Sequence, residues 1–98
     1  MNKTISIDPD TTIPIKSDLS VARVVNGEAV VVEPKNGLVN VINQIGTSIW
    51  ELTDGKRTVR EIADLVAGDF DVSRDQALAD TIEFLQDLKA KELVTIRH

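Results

Sequence analysis

Residues 41–62 read Val41-Ile42-Asn43-Gln44-Ile45-Gly46-Thr47-Ser48-Ile49-Trp50-Glu51-Leu52-Thr53-Asp54-Gly55-Lys56-Arg57-Thr58-Val59-Arg60-Glu61-Ile62. A strand ends at Ile42. Asn43 can then cap a short helix, because its side chain accepts an otherwise orphaned backbone N–H. Ile45, Ile49 and Leu52 are spaced four and three apart and share one helical face, with Trp50 beside it. Thr53-Asp54-Gly55 ends that helix, Gly55 being able to take a left-handed cap. Thr58 with Glu61 forms a capping box that opens a second helix. Helix, glycine turn and capped helix are the parts of a helix-turn-helix. The stretch holds no paired nucleophile and base, no metal cluster and no phosphate loop, so it reads as a binding fold rather than an enzyme.

Upstream, Val21 to Val25 alternates as a strand. Asn26-Gly27 follows, the dipeptide favoured where both residues of a hairpin turn need positive φ. Glu28 to Glu33 makes the second strand, Pro34-Lys35-Asn36-Gly37 a four-residue turn, and Leu38 to Ile42 the third strand. Residues 1–17 carry Ile5, Ile7, Ile13 and Ile15 interrupted by Pro9 and Pro14, and read as an extended arm, partly packed or mobile, before a domain over 18–98.

Downstream, Val59, Ile62, Ala63 and Val66 form a buried stripe that Leu65 widens, and Gly68 ends the second helix, leaving Phe70 and Val72 in the connection. Ser73 with Gln76 is a weaker box opening the longest helix, which reaches about Lys91. It shows one stripe of Leu78, Ile82 and Leu85 and a second of Ala77, Thr81, Phe84 and Leu88, a wider apolar arc than one packing face needs. Leu93 to Ile96 reads as a short strand or tail. The expected fold is α+β: a winged helix-turn-helix in which a three-stranded antiparallel meander precedes three helices.

Composition narrows the function. The 98 residues make one domain, with 16 acidic against 11 basic residues and a formal charge of −5. A free-standing nucleic-acid binder gains affinity by neutralising phosphates, so this balance argues against one. With no cysteine there is neither a disulfide nor a thiolate metal site. No cofactor motif stands in the chain. No segment nears the roughly 20 apolar residues of a membrane span, and the N-terminus has no signal-like apolar run, so the expected location is the cytoplasm.

The pattern Asn43-x-x-Gly46-x-x-Ile49-Trp50-x-Leu52-x-Asp54-Gly55-x-Arg57-Thr58-Val59-x-Glu61-Ile62-Ala63 resembles the PqqD-like proteins. Asp80-x-x-x-Phe84-Leu85-x-x-Leu88, followed by Leu93-Val94, fits the end of the same pattern. The likeness covers roughly residues 18–96. Ile42 stands where family members often have Leu, and Glu92 where many have Gly, a change expected to lengthen the third helix. The resemblance implies a RiPP recognition element: a non-catalytic winged helix-turn-helix adaptor, or chaperone. Such a domain binds the leader of a ribosomally made precursor peptide and presents it to a modifying enzyme, often a radical-SAM maturase. It further implies that the leader is held as an added strand against the third strand, in the groove beside the third helix.

The residues give this a place. In a meander taken in order, the third strand is an edge, and Leu38, Val39, Asn40 and Val41 would offer unpaired backbone groups to a peptide. Phe84 and Leu88 would line the groove, unless both are core. Asp80 and Asp87 would meet a basic leader residue, unless they only solvate the helix. Trp50 reads as core, with an indole N–H that needs a partner if buried. Two rivals stand beside the adaptor: a DNA-binding regulator reading with the third helix, and a structural subunit or homodimer formed through the strand edge.

Overall fold

The computed structural model describes residues 7–97, so Ile5 and the terminal His98 lie outside the described residues. In chain order the elements are β1 Ile13–Lys16, β2 Val21–Val25, β3 Glu28–Val32, β4 Val39–Val41, α1 Gln44–Leu52, α2 Val59–Phe70, α3 Arg74–Ala90 and β5 Val94–Arg97. The chain is α+β, with a three-stranded antiparallel sheet ordered β2-β3-β4 and a two-stranded antiparallel sheet of β1 and β5.

Asn26 and Gly27 both have positive φ, +52° and +80°, as the two-residue turn requires, and Val25 pairs with Glu28 across it. The next turn closes through the Gly37 N–H to the Glu33 carbonyl and the Glu33 N–H to the Leu38 carbonyl. β4 is shorter than the Leu38–Ile42 run suggests. The Leu38 amide is taken by the Asn36 side chain within the turn, while Ile42 still donates to the Ala29 carbonyl as its side chain turns into the core.

The inner face of β3, Ala29 and Val31, is buried against the helices. Val59, Ile62, Ala63 and Val66 of α2 are buried as their spacing requires. Trp50, 4% exposed, sits among them, with Lys16 Nζ 5.1 Å from its ring centroid. Among the described residues its indole nitrogen is not one of the buried atoms left without a partner. The Thr47 hydroxyl staples α1 to the sheet: it accepts from the Ala29 amide at 2.8 Å and donates to the Ile42 carbonyl at 3.2 Å.

The caps form where the sequence places them. Asn43 accepts from the Gly46 amide, both halves of the Thr58–Glu61 box are made, and Ser73 accepts from the Gln76 amide. The Gln76 side chain reaches forward to Asp80 at 2.8 Å instead of closing its own box. In the α1–α2 loop Asp54 accepts from the Lys56 and Arg57 amides, which hold its carboxyl below the usual range, and pairs with Arg57 at 2.6 Å. Gly55 has φ +77°, but α1 is capped two residues earlier, at Thr53, whose hydroxyl donates to Ile49 O.

Four expectations are corrected. α2 runs through Gly68 to Phe70 and ends at Asp71, which takes the left-handed conformation itself. A helical glycine costs only about 1 kcal/mol relative to alanine, so it does not compel an end. Leu65 is 44% exposed, because it lies off the arc that the neighbouring elements cover. On α3 the two stripes merge into one buried seam, Ala77, Thr81, Leu85 and Leu88, with Leu78 and Ile82 half-buried on one flank and Phe84 on the other. Glu92 does not lengthen α3. It adopts φ +61°, and the Leu93 and Glu92 amides bond back to the Leu88 and Lys89 carbonyls, a Schellman-type ending. Replacing Glu92 with Gly should therefore stabilise the fold by about 1 kcal/mol, read as a higher midpoint in chemical denaturation. The exposed Lys35–Glu92 pair lost with it contributes little.

The described part of the segment before β2 is held in two places. The Thr12 and Pro9 carbonyls accept from the Val59 and Arg60 amides, two orphan donors of the first turn of α2. Asp10 pairs with Arg60 at 2.6 Å. β1 zips onto β5, from Ile13 opposite Arg97 to Lys16 opposite Val94.

Candidate peptide-binding groove

The hydrogen-bond phase of β4 decides what its outer edge can do. The Ile42 amide and the Leu38 carbonyl both point at β3. In an antiparallel strand alternate residues turn their N–H and C=O to opposite sides, so Asn40 also faces β3, and Val39 and Val41 face the free edge. β4 is an edge strand, as its position in the meander requires, and β3 is central.

Side chains follow the other alternation. Asn40, opposite Val31, lies on the inner face with the helices. Val39 and Val41 lie on the outer face, 63% and 67% exposed. Leu38 is exposed at the turn.

Beside this edge runs the Phe84 flank of α3. Two clefts share Asn43, Phe84 and Asp87. The smaller, about 210 Å³, is lined by Asn40, Val41, Ile42, Leu88 and Lys91 besides those three. The larger, about 550 Å³, adds Ile45, Gly46, Ile49, Asp80 and Glu83, and falls within the usual ~300–1,000 Å³ of ligand sites. Together they make a groove with an apolar floor. Its rim at the larger end is acidic, through Asp80 and Glu83.

The opposite end is tied shut. Lys91 Nζ donates to Asn40 Oδ1 at 2.8 Å and pairs with Asp87 at 3.1 Å, while Asn40 Nδ2 donates to Glu33 Oε2 at 2.8 Å. This bridge holds β4 at a fixed distance from α3. Gly46 sets the width of the other end. A Cβ there would overlap Ile42 Cγ2 and come within 3.2 Å of Phe84 Cε1. Gly46→Ala should therefore displace Ile42, shift Phe84 slightly and destabilise the domain by roughly 1–3 kcal/mol, the cost of overpacking. A thermal melt checks this, at about 4–8 °C of midpoint per kcal/mol.

Of the residues singled out in the sequence, the structure brings Asn40, Val41, Asp80, Phe84, Asp87 and Leu88 into the clefts. Leu38 and Val39 line neither. Leu88, 2% exposed, is core that shows only its edge. As site residues, sequence reading passed over Ile42, Asn43, Ile45, Gly46, Ile49, Glu83 and Lys91. Lys91 had a signal, three residues beyond Leu88 and seven beyond Phe84 on the same flank. Among the described residues no three His, Cys, Asp or Glu side chains gather as a metal site, and no helix is long and apolar enough to cross a membrane.

The family model for coenzyme PQQ synthesis protein D (PqqD) matches residues 28–94. The chain belongs to the PqqD family. That span runs from the first residue of β3 to the first of β5, so every element of the groove lies inside the PqqD match and β1 and β2 lie before it. A solved structure described as TbiB1 in complex with the TbiA(beta) leader peptide shares the fold at a TM-score of 0.74 and 28% identity, over 82% of this chain and 93% of that one. No curated protein matches the chain.

Proposed function

We propose that this PqqD-family chain is a non-catalytic adaptor that binds the leader of a ribosomally made precursor peptide and presents it to a modifying enzyme, a radical-SAM maturase in the first instance. One observation carries the reading: the backbone of Val39 and Val41 faces a free edge that opens onto the Phe84 groove. The family match and the likeness to a protein solved with a leader peptide support it.

The leader adds to β4 as a strand. Its residue opposite Asn40 faces the smaller cleft, and its next inward residue reaches Phe84 and the larger cleft. A basic residue then meets Asp80 or Asp87 at the rim. Val39 and Val41 supply the ladder, Leu38 flanks it, and Phe84 with the edge of Leu88 forms the wall. Residues 18–98 are the binding unit and residues 1–17 an arm, of which Pro9, Asp10 and Thr12 brace the start of α2. The three helices on a meander form a winged helix-turn-helix put to peptide rather than DNA use, since α3 carries Asp75, Asp80, Glu83 and Asp87 against Arg74 and Lys89. The adaptor works in the cytoplasm, as a monomer or a homodimer.

The test is titration of the isotope-labelled chain with the leader encoded by its partner precursor gene, followed by amide NMR. Shifts should concentrate on β4 and on the Phe84 flank of α3. Shifts that avoid both would sink the reading, and micromolar, salt-dependent DNA binding would replace it with the regulator.

A further inference from the structure

Among the described residues no helix covers the outer face of the β2-β3-β4 sheet. Across it run the rows Arg23–Val30–Val41 and Val21–Val32–Val39. Edge strands are ordinarily blunted by charge or proline. Here the edge carries two valines more than 60% exposed, and they are the two residues whose backbone faces an incoming strand. We infer that the bound peptide is read on both of its faces, with β-branched or other apolar side chains at the two outward positions opposite Val39 and Val41. This rests on the adaptor reading and adds to it a rule for the peptide.

The geometry forces the contact. Residues directly opposite across a ladder have Cβ atoms about 4.5–5.5 Å apart and lie on the same face. The peptide residues facing Val39 and Val41 are therefore two apart, with one inward residue between them aimed at the groove. They extend an existing valine surface by one strand. A second copy is the poorer occupant of the whole face. Three strands about 4.8 Å apart and five residues at about 3.3 Å span only on the order of 240 Å², against roughly 800 Å² per partner in a stable interface. Each copy would also bring a charge of −5.

The experiment selects a displayed library of random peptides against the immobilised full chain. Binders should show a period of two: Val, Ile, Thr or an aromatic at positions i and i+2, and a separate apolar preference at i+1. Replacing a preferred outward residue by Gly should weaken binding roughly two- to five-fold per position, the size of one cross-strand pair. Selection against V39K/V41K should turn the outward preference to Asp and Glu and leave i+1 unchanged, whereas Val21→Lys, on the far strand, should alter neither. Melting curves of both variants confirm that they fold.

Binders that shift β4 amides but are indifferent at i and i+2, or a preference that V39K/V41K does not change, overturn the inference and leave the adaptor reading standing. Failure to select any binder, or binders whose shifts miss β4, removes that reading and the inference with it. Concentration-dependent dimerisation in sedimentation that V39K/V41K abolishes would make a second copy the occupant, and also overturns the inference.

Discussion

Val39→Pro should leave the domain folded and weaken peptide binding about five-fold or more, whereas Asn40→Pro, one residue along, should unfold it. The contrast follows from the hydrogen-bond phase. The Val39 N–H points out of the sheet, so proline there costs no internal bond. It does remove a donor that the added strand needs. A peptide carbonyl left without its partner costs ~1–3 kcal/mol, or roughly five- to 150-fold in affinity. Asn40 faces β3 and its side chain joins Lys91 to Glu33, so proline there breaks the ladder and the bridge together. The expected cost is about 3 kcal/mol or more, a large share of the stability of a domain this size. Denaturation midpoints and peptide titrations on both variants settle the point. Equal unfolding by the two would mean that β4 is not a free edge.

Phe84→Ala should cost binding more than stability, and Leu88→Ala the reverse. From sequence the two residues lie on one stripe and cannot be told apart. In the structure Phe84 is half-buried and lines both clefts, while Leu88 is 2% exposed. Removing a buried aromatic anchor from a binding site typically costs about 2 kcal/mol or more of affinity, at least thirty-fold. Its effect on the fold should stay below the ~3–5 kcal/mol of a fully buried Phe. Leu88→Ala opens a cavity beneath the groove and should cost ~2–5 kcal/mol of stability. Binding by the fraction still folded should then be nearly normal. Calorimetric titration with a thermal melt on each variant separates these outcomes. If Phe84→Ala melts the domain and leaves the affinity of its folded fraction intact, the groove is core and not a site.

Much of this could be read without coordinates. Asn43, Thr58 and Ser73 cap because a side-chain oxygen three residues before a backbone N–H is local chemistry. Asn26-Gly27 turns because both residues tolerate positive φ, and a short tight turn makes the flanking strands neighbours, which places β3 at the centre and β4 at the edge. Each of these depends on residues only a few positions apart.

What the sequence left open depends on distance. Lys91 meets Asn40 across 51 positions, and β1 meets β5 from opposite ends of the chain. No local pattern encodes either pairing. The left-handed Asp71 and Glu92 depart from the usual glycine because the chain must turn sharply there to pack α3 and β5, and tertiary contacts override a small conformational preference. The flank of α3 that faces the groove could not be chosen from an apolar arc wider than one face. Only the packing of α1, α2 and β5 around the seam of Ala77, Thr81, Leu85 and Leu88 leaves Phe84 turned toward β4. The stretch from Val41 to Ile62 thus determined by itself that strand, cap, helix, turn and helix would follow one another. The tertiary structure alone decided which backbone edge and which helix flank face each other across the groove, because that depends on burial summed over elements far apart in the chain.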